Sequence, residues 1–501
     1  MRLAAALILL TAPSEASPRF EDAREGLPIE HVYQGGWEHF VGGGVAALDC
    51  NHDGFLDLFA AGGTNPAQLF VNETSGIGDK LRFSLGSMPE FRGVTGAYPL
   101  DIDGDDHIDL AVLRVGPNLL LQGEGNCRFR DATADWGLET SDKWTTAFSA
   151  TWESGNDWPT LVFGNYVDRS NPDGPFGACD VNHLYRPQGG QFVEPIALSP
   201  GYCALSMLIS DWRRSGDPEL RISNDRHYYV KGGYEEMWRL RPLDPRDDSD
   251  GWRKLSLWGM GIASVDLTGD GLPEVMLTSM GDQVLQVNDG ASFSNVDYSV
   301  GTTAHRPHVG DDGRPSTGWH AEFGDVDNDG LTDLFIAKGN VDQMPSNAIN
   351  DPNNLLIQNG DGSFSERSSE AGIATTDRSR GASLADLNGD GLLDLVVVNR
   401  RAPMELWQNV TKGAGNWISI SPRQFRSNTS AVGAWIEVRA GTRFQSQEVT
   451  VGGGHAGGRI GFHHFGLGSA ADVQVRVIWP DGSLHPWSQF EANQSVVLRR
   501  E

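Results

Sequence analysis

The residues best suited to chemistry in this chain are aspartates at alternate positions of a short loop. Carboxylates at Asp325, Asp327, Asp329 and Asp333 fill positions 1, 3, 5 and 9, and Gly330 at position 6 lets the backbone reverse. Alternate residues of an extended turn point the same way, so these side chains can converge. Converging carboxylates repel one another unless a hard cation lies among them, and Ca²⁺ accepts roughly six to eight oxygens at flexible geometry. The loop therefore predicts a calcium site.

Four further loops repeat this spacing, beginning at residues 49, 101, 266 and 386. Position 12, which is glutamate in an EF-hand, is apolar in all five loops, so we predict turns of β-hairpins instead. Asp106 replaces the glycine of the second loop and predicts a weaker site there. The predicted ligands, including a backbone carbonyl from position 7, are Asp49, Asn51, Asp53, Phe55, Asp57; Asp101, Asp103, Asp105, His107, Asp109; Asp266, Thr268, Asp270, Leu272, Glu274; Asp325, Asp327, Asp329, Leu331, Asp333; and Asp386, Asn388, Asp390, Leu392, Asp394.

Two eroded copies of the loop lie between the second and third. The copy at 152–160 has no carboxylate at positions 1, 3, 5 or 9, and the copy at 211–219 has Arg213 at position 3. We assign no metal to either. Arg213 is predicted to replace the cation by pairing with Asp211 or Glu219.

The seven loops mark an internal repeat. They begin at residues 49, 101, 152, 211, 266, 325 and 386, so each lies about 50 to 60 residues from the next. Each unit has apolar stretches on both sides of its loop, a third apolar stretch, and a Gly-rich turn before an aromatic residue, which indicates about four strands. The predicted fold is all-β, a seven-bladed β-propeller over residues 17–410, with a linear solenoid as the alternative.

A second pattern appears five residues before each loop. Six of the seven positions are small, which suits crowded strands around a central axis. The exception is His320, with Trp319 before it and Arg380 at the equivalent level of the next unit. Trp319, His320 and Arg380 are a candidate ligand site at the mouth of the channel, and the alternative is a plug of satisfied side chains. The small residues are Gly44, Gly96, Ala147, Ser206, Gly261 and Gly381.

Composition restricts the environment and the partners. Acidic residues outnumber basic ones 67 to 39, giving a net charge of −28, which argues against nucleic acid and anionic membranes as partners. Residues 1–16 combine a basic start, a short apolar run and small residues, which predicts a signal peptide and an extracytoplasmic location, secreted, periplasmic or at the cell surface. No later apolar run is long enough to predict a transmembrane segment.

Four cysteines in an exported chain suggest two disulfides. Three pairings are possible, and we favour Cys50–Cys127 with Cys179–Cys203, because the second pair brackets one irregular insertion. No CxxC motif is present, so zinc and dithiol chemistry are not predicted.

Residues 411–501 alternate apolar and polar side chains and predict a small β-sandwich-like domain. Its Gly-rich segment 452–458 is predicted to be a flexible loop with His455 exposed. His463 and His464 are adjacent in a predicted strand, so their side chains face opposite sides and are not expected to share a metal.

These motifs resemble known families. The repeats resemble FG-GAP/VCBS repeats, also found in integrin α-subunit heads, and the stretches 35–45, 260–262 and 316–319 resemble the cartilage acidic protein (CRTAC) family. The stretches 416–420, 430–438, 465–468 and 477–482 resemble the ASPIC/UnbV domain. The resemblance implies calcium in the acidic loops and an exported protein, but no settled activity.

Two functions follow as hypotheses. The first is an exported calcium-binding recognition or adhesion protein that binds a glycan or an extracellular protein through a propeller face. The alternative is a carbohydrate-active enzyme of polysaccharide-lyase type, with His320 as the base and Arg380 neutralising a uronate. The chain has no GxSxG, HExxH or phosphate-binding glycine motif, which favours the binding protein and leaves enzymatic activity open.

Overall fold

A computed structural model describes residues 16–172, 174, 177–225, 232–302 and 313–500. The predicted signal peptide lies outside this range, apart from Ala16 at its end. The all-β expectation is confirmed. In the described ranges, helices are single turns at Arg24–Gly26, Trp37–His39, Asp248–Asp250, Tyr298–Val300 and Ser368–Ala371.

Within the described chain, strands β1 to β28 form five antiparallel sheets of four strands and one of eight, in which the pairing of β10 with β7 joins two groups of four. We number the seven four-stranded groups sheets 1 to 7 in chain order. Strand β1 (Phe20–Asp22) belongs to sheet 7. Sheets 1 to 3 contain β2 (Val45–Leu48), β3 (Asp57–Ala60), β4 (Gln68–Asn72) and β5 (Phe83–Leu85); β6 (Val94–Leu100), β7 (Asp109–Gly116), β8 (Leu119–Gly123) and β9 (Phe129–Asp131); and β10 (Lys143–Thr151), β11 (Thr160–Asn165), β12 (Asn182–Tyr185) and β13 (Ile196–Leu198).

Sheets 4 to 7 follow the same plan. Their strands are β14 (Ala204–Ser210), β15 (Glu219–Asn224), β16 (Glu236–Arg239) and β17 (Asp244–Pro245); β18 (Gly259–Val265), β19 (Glu274–Ser279), β20 (Val284–Asn288) and β21 (Phe293–Asn295); β22 (Gly318–Gly324), β23 (Asp333–Lys338), β24 (Asn354–Gln358) and β25 (Phe364–Glu366); and β26 (Ser379–Ala385), β27 (Asp394–Asn399) and β28 (Glu405–Asn409). The N-terminal β1 pairs antiparallel with β28 and supplies the fourth strand of sheet 7.

The first strands of the seven sheets form a closed ring. Each contacts the first strand of the next sheet, and β26 of sheet 7 contacts β2 of sheet 1. A linear solenoid would leave these two ends apart. The first strands therefore surround a central channel, and each acidic loop joins the first and second strands of its sheet at one end of that channel.

The remaining strands form the C-terminal unit. They are β29 (Asn416–Arg423), β30 (Trp435–Ala440), β31 (Arg443–Glu448), β32 (His463–Gly468), β33 (Asp472–Ile478), β34 (Ser488–Glu491) and β35 (Gln494–Arg499). They make two sheets, ordered β32-β29-β35 and β31-β30-β33-β34, with β29 and β35 parallel. Ile420 and Val475 of the two sheets lie in one apolar cluster with Leu100 and Phe148 of sheets 2 and 3, so the unit and the ring share a core.

The Gly-rich segment between β31 and β32 enters the channel. Residues 451–459, which we call the plug, make isolated β-bridges to the first strands of sheets 1 to 5. His455 is fully buried, so the prediction of a flexible loop with an exposed histidine is wrong. Five glycines in seven residues are typical of a mobile linker, which is why the sequence predicted one. Glycines also let the backbone of this segment pass close to the backbones of the ring, where a larger side chain would not fit.

The small residues five positions before the loops lie where the plug passes. A Cβ placed on Gly44 or Gly96 would stand 1.8 Å from the carbonyl oxygen of Ala456. The Ser206 hydroxyl donates to the Gly454 carbonyl at 2.8 Å. The crowding that the sequence predicted around the axis is therefore contact with the C-terminal unit.

Both favoured disulfides are present. Cys50 pairs with Cys127, joining the first acidic loop to sheet 2, and Cys179 pairs with Cys203. No free cysteine remains.

Replacing Gly96 with alanine is expected to destabilise the fold, because the new methyl group meets the fixed backbone of the plug. Overpacking of this kind costs about 1–3 kcal/mol. Gly360→Ala is the matched control, since a Cβ there meets nothing within 4 Å. Urea unfolding of the two variants should separate them, and equal midpoints would show that the plug does not sit in the channel.

Candidate functional site

The five acidic loops share one backbone conformation. In the loop 325–333, Asn328 at position 4 has φ of 60° and Gly330 at position 6 has φ of 87°, both left-handed. The other four loops repeat the two positive φ values. Asp106, with φ of 72°, holds position 6 of the second loop without glycine, at a cost of roughly 1–2 kcal/mol.

Backbone hydrogen bonds hold the two end carboxylates of each loop. The Gly330 N–H donates to Asp325 Oδ2 at 2.7 Å, and the Val326 N–H donates to Asp333 Oδ2 at 3.0 Å. The N–H of Gln358 in the third strand donates to Asp333 Oδ1 at 3.0 Å. The same three bonds recur in the other four loops. Hence the turn, the second strand and the third strand all orient oxygens toward the centre of the loop.

It is unfavourable to keep these buried carboxylates ionised unless a cation lies among them. Burial, and then the neighbouring carboxylates, hold the pKa of Asp325 and Asp333 well above the usual range. Burial also raises the pKa of Asp57, Glu274 and Asp386 to about 7 each. A bound cation would remove this cost by balancing the charge.

Two loops have three carboxylates close enough to share one ion. Oxygens of Asp325, Asp327 and Asp333 lie within 4.8 Å of one another, as do those of the triad Asp101, Asp103 and Asp109. Oxygen-only donors at this spacing suit a hard cation such as Ca²⁺. In the remaining three loops position 3 is Asn51, Thr268 or Asn388, whose neutral oxygen lowers the charge of the site.

The prediction for Arg213 in the fourth unit is wrong. Its guanidinium stacks over the ring of Trp212, 4.2 Å from the centroid. Glu219 at position 9 is instead paired with Arg246, whose Nε donates to Oε2 at 2.7 Å. Arg246 follows the fourth strand of the same sheet, so the sequence offered no spacing signal for this pair.

The third unit neutralises a carboxylate in the same way. Glu153, at position 2 of the eroded loop, accepts hydrogen bonds from the Nε atoms of Arg186 and Arg241. Burial alone would raise the pKa of Glu153, but these bonds and one from Thr160 offset it and leave the pKa below its usual value. Both eroded units therefore carry an arginine where the others have an acidic cluster.

The structure brings Trp319, His320 and Arg380 together but buries all three, with exposures of 0%, 3% and 0%. The Arg380 guanidinium lies 4.0 Å from the centroid of the Trp319 ring and donates to several backbone carbonyls, among them that of Phe40 at 2.8 Å. His320 Nδ1 accepts from the N–H of His455 at 3.0 Å. Trp319 and His320 pack against His455 of the plug, whereas Arg380 is held by the backbone of residues 40 and 340–341. His320 also borders a cavity between the plug and sheets 4 to 7.

The C-terminal unit covers the end of the ring that carries the acidic loops. Thr429 donates its hydroxyl hydrogen to Asp101 Oδ2, and Ser446 donates to Asp266 Oδ2 at 2.9 Å. Gly466 lies against Asp325, where a Cβ would stand 1.8 Å from the carboxylate oxygen. Sequence reasoning missed these residues, because a lone serine, threonine or glycine in a strand or loop carries no ligand signal.

Comparison with known proteins supports the domain classes. The family model described as FG-GAP-like repeat matches residues 49–112 and 325–397, and the family model described as ASPIC and UnbV matches residues 424–501. The chain therefore has FG-GAP-like repeats followed by an ASPIC/UnbV domain, the architecture expected from the resemblance to the cartilage acidic protein family.

Among individual relatives, Cartilage acidic protein 1 of Mus musculus is 26% identical over 178 residues, covering 35% of this chain and 27% of the relative. Its Homo sapiens counterpart is 26% identical over 164 residues, covering 32% and 24%. The chain thus matches about a quarter of the length of these relatives.

Structural comparison matches two solved structures with TM-scores below 0.5. The BP39L lectin of Burkholderia pseudomallei has a TM-score of 0.48 and 12% identity, covering 75% of this chain and 97% of its own. BBS1N, solved in complex with ARL6DN, has a TM-score of 0.45 and 11% identity, covering 79% and 98%.

Glu219→Gln tests the arginine pair of the fourth unit. The substitution leaves Arg246 charged and buried without a carboxylate, which costs about 3–5 kcal/mol. The exposed pair of Glu90 and Arg92 provides the control, since Glu90→Gln should change stability by less than about 0.5 kcal/mol. Urea unfolding measures both, and the loss should be the same with calcium and with a chelator. A small loss would show that Arg246 does not replace a cation.

Proposed function

We propose that this protein is an exported, calcium-binding recognition protein, in which sheets 1 to 7 are the blades of one β-propeller. Calcium would occupy the loops beginning at residues 49, 101, 266, 325 and 386, held by the oxygens predicted above. The buried carboxylate triads support the metal, and the two disulfides support an oxidising compartment. No helix in the described part of the chain has the length and apolar character of a membrane span.

The proposal of a recognition function rests on how the two ends of the ring differ. The C-terminal unit and its plug take up the acidic-loop end and the channel. Each first strand runs toward its acidic loop, so the start of that strand lies at the opposite end. This end is the surface we assign to a glycan or protein ligand.

The side chains at the opposite end suit a polar or anionic ligand. Asp342 pairs with Arg400 and Arg401, at 2.7 and 3.0 Å, and a third arginine, Arg378, lies near enough to lower the pKa of Asp342 further. Trp37 is half-buried beside this group, edge-on to Trp144 with ring centroids 4.9 Å apart. Three arginines around one carboxylate form a local positive charge in a chain of net charge −28.

The alternative of a polysaccharide lyase receives less support. It needs His320 as a base and Arg380 as a uronate partner in a site that a polymer can enter. His320 is buried against the plug and Arg380 is buried against the backbone of Phe40 and Val341, and their hydrogen bonds go to the backbone and to Glu322. An absorbance assay for unsaturated uronate products tests this alternative, and sustained turnover that is lost in His320→Ala would restore it.

Calcium removal should lower the melting temperature. A site with Kd near roughly 10⁻⁴ M adds about 1.8 kcal/mol at about 2 mM free Ca²⁺. Differential scanning fluorimetry with calcium and with EGTA measures the difference, and magnesium at the same concentration is the control for ionic strength. An unchanged melting curve would contradict the calcium assignment.

Ligand binding should depend on the half-buried Arg378 and the exposed Arg401 at the open end. A glycan array and a panel of extracellular proteins would identify a ligand, and Arg378→Ala with Arg401→Ala should weaken its binding about tenfold or more, since each removes a positive charge. The control is Arg130→Ala, whose exposed side chain pairs with Asp135 at an outer strand. Equal loss in control and test variants would place the ligand elsewhere.

A further inference from the structure

Three of the five candidate calcium loops touch the C-terminal unit through their position-1 aspartates. Asp101 accepts from the Thr429 hydroxyl, and Asp266 accepts from the Ser446 hydroxyl at 2.9 Å. Asp325 abuts Gly466, where no side chain larger than hydrogen fits beside the carboxylate. These contacts are made by side chains more than nine-tenths buried, so they lie within the interface.

The loop 325–333 is held by the C-terminal unit along its backbone as well. The Gly415 N–H donates to the Asp327 carbonyl at 2.9 Å, and the Gly468 N–H donates to the Asn328 carbonyl at 2.9 Å. His464 Nε2 and Asn328 Oδ1 are 2.7 Å apart. The left-handed residue at position 4, which allows the carboxylates to converge, is therefore held in place by the C-terminal unit.

The other two loops differ. Asp49 accepts from the N–H groups of Asp53 and Gly54, within its own loop. Asp386 accepts from Asp390 and Gly391 in the same way. The chain thus contains two loops whose position-1 carboxylates are organised locally and three whose carboxylates are also organised by residues far along the sequence.

We propose that calcium binding at the loops of Asp101, Asp266 and Asp325 is linked to docking of the C-terminal unit, with Thr429 and Ser446 as positioning residues. This inference rests on the proposed calcium function. A hydroxyl that holds one carboxylate oxygen fixes the direction of the other toward the centre of the loop. Docking therefore prepares the loop for the ion, and by reciprocity the ion strengthens docking by the same factor.

The contacts between the fourth unit and the C-terminal unit do not involve a candidate metal loop. Arg214 forms a 3.0 Å salt bridge with Glu437 of the C-terminal unit and lies over the ring of Trp435, 4.2 Å from its centroid. Glu448 accepts the Asp211 N–H at 2.8 Å. Chelation should accordingly loosen the C-terminal unit over the three metal loops and leave it attached over sheet 4.

Calcium titration of the full mature chain by isothermal calorimetry, with terbium luminescence as a second readout, tests the linkage. Ser446→Ala should weaken calcium binding at the loop of Asp266 about tenfold, and Thr429→Val should do the same at the loop of Asp101. In each case a hydrogen bond to a charged group is lost. Thr429→Ser keeps the hydroxyl and should restore the affinity. Ser495→Ala, at an exposed position of β35, is the control and should bind as the wild type does.

Hydrogen exchange supplies a readout that a general loss of stability would not reproduce. Chelation should speed exchange in residues 424–432 and 443–447, and leave residues 435–438 protected. Affinities unchanged in both Ser446→Ala and Thr429→Val would overturn the linkage while calcium binding stands. A wild-type titration with no calcium binding would overturn the proposed function itself, and the linkage with it.

Discussion

The constraint on which the structure depends is the cost of burying carboxylates at the turn from the first to the second strand of a sheet, as clusters in five sheets and as Glu153 in sheet 3 and Glu219 in sheet 4. The oxygens of the clusters are ordered by backbone N–H groups of the turn and of the third strand, so they cannot move apart without breaking the sheet. Burial first, and then the charges of Asp325 and Asp327, hold the pKa of Asp333 well above its usual range. A positive charge beside such a carboxylate offsets this cost.

The chain provides that charge in two ways. In sheets 3 and 4 an arginine of the protein itself is present, through Glu153 with Arg186 and Glu219 with Arg246. In the other five sheets the oxygens suit an ion from solution. An arginine side chain is always present in the protein, whereas a bound ion would follow its concentration outside the protein. If the proposed calcium binds, sheets 3 and 4 would be independent of the medium and the other five sheets would depend on it.

The C-terminal unit joins these turns into one assembly. It covers the acidic loops and sends the plug through the channel, where glycines of the ring and of the plug allow the two backbones to meet. The shared apolar cluster beneath sheets 2 and 3 fixes its position further. Because the C-terminal unit covers one end and the plug enters the channel, we assign the proposed partner to the opposite end.

The sequence by itself determined the repeat, the acidic loops and the all-β class, because these depend on spacing and on local backbone chemistry that each unit carries within about 60 residues. It favoured both disulfide pairs among three possible pairings, and the structure confirms them, although Cys50 and Cys127 lie 77 residues apart. Only the tertiary structure decided that Arg246 and not Arg213 neutralises Glu219, that His455 is buried, and that Trp319, His320 and Arg380 are interior. It also brought Thr429 and Ser446 to the aspartates of distant loops. The pair of Glu219 and Arg246, 27 residues apart, depends on packing within sheet 4. The other outcomes depend on contacts between residues far apart in the chain, most of them where the C-terminal unit docks on the ring, and local composition holds no signal for such contacts.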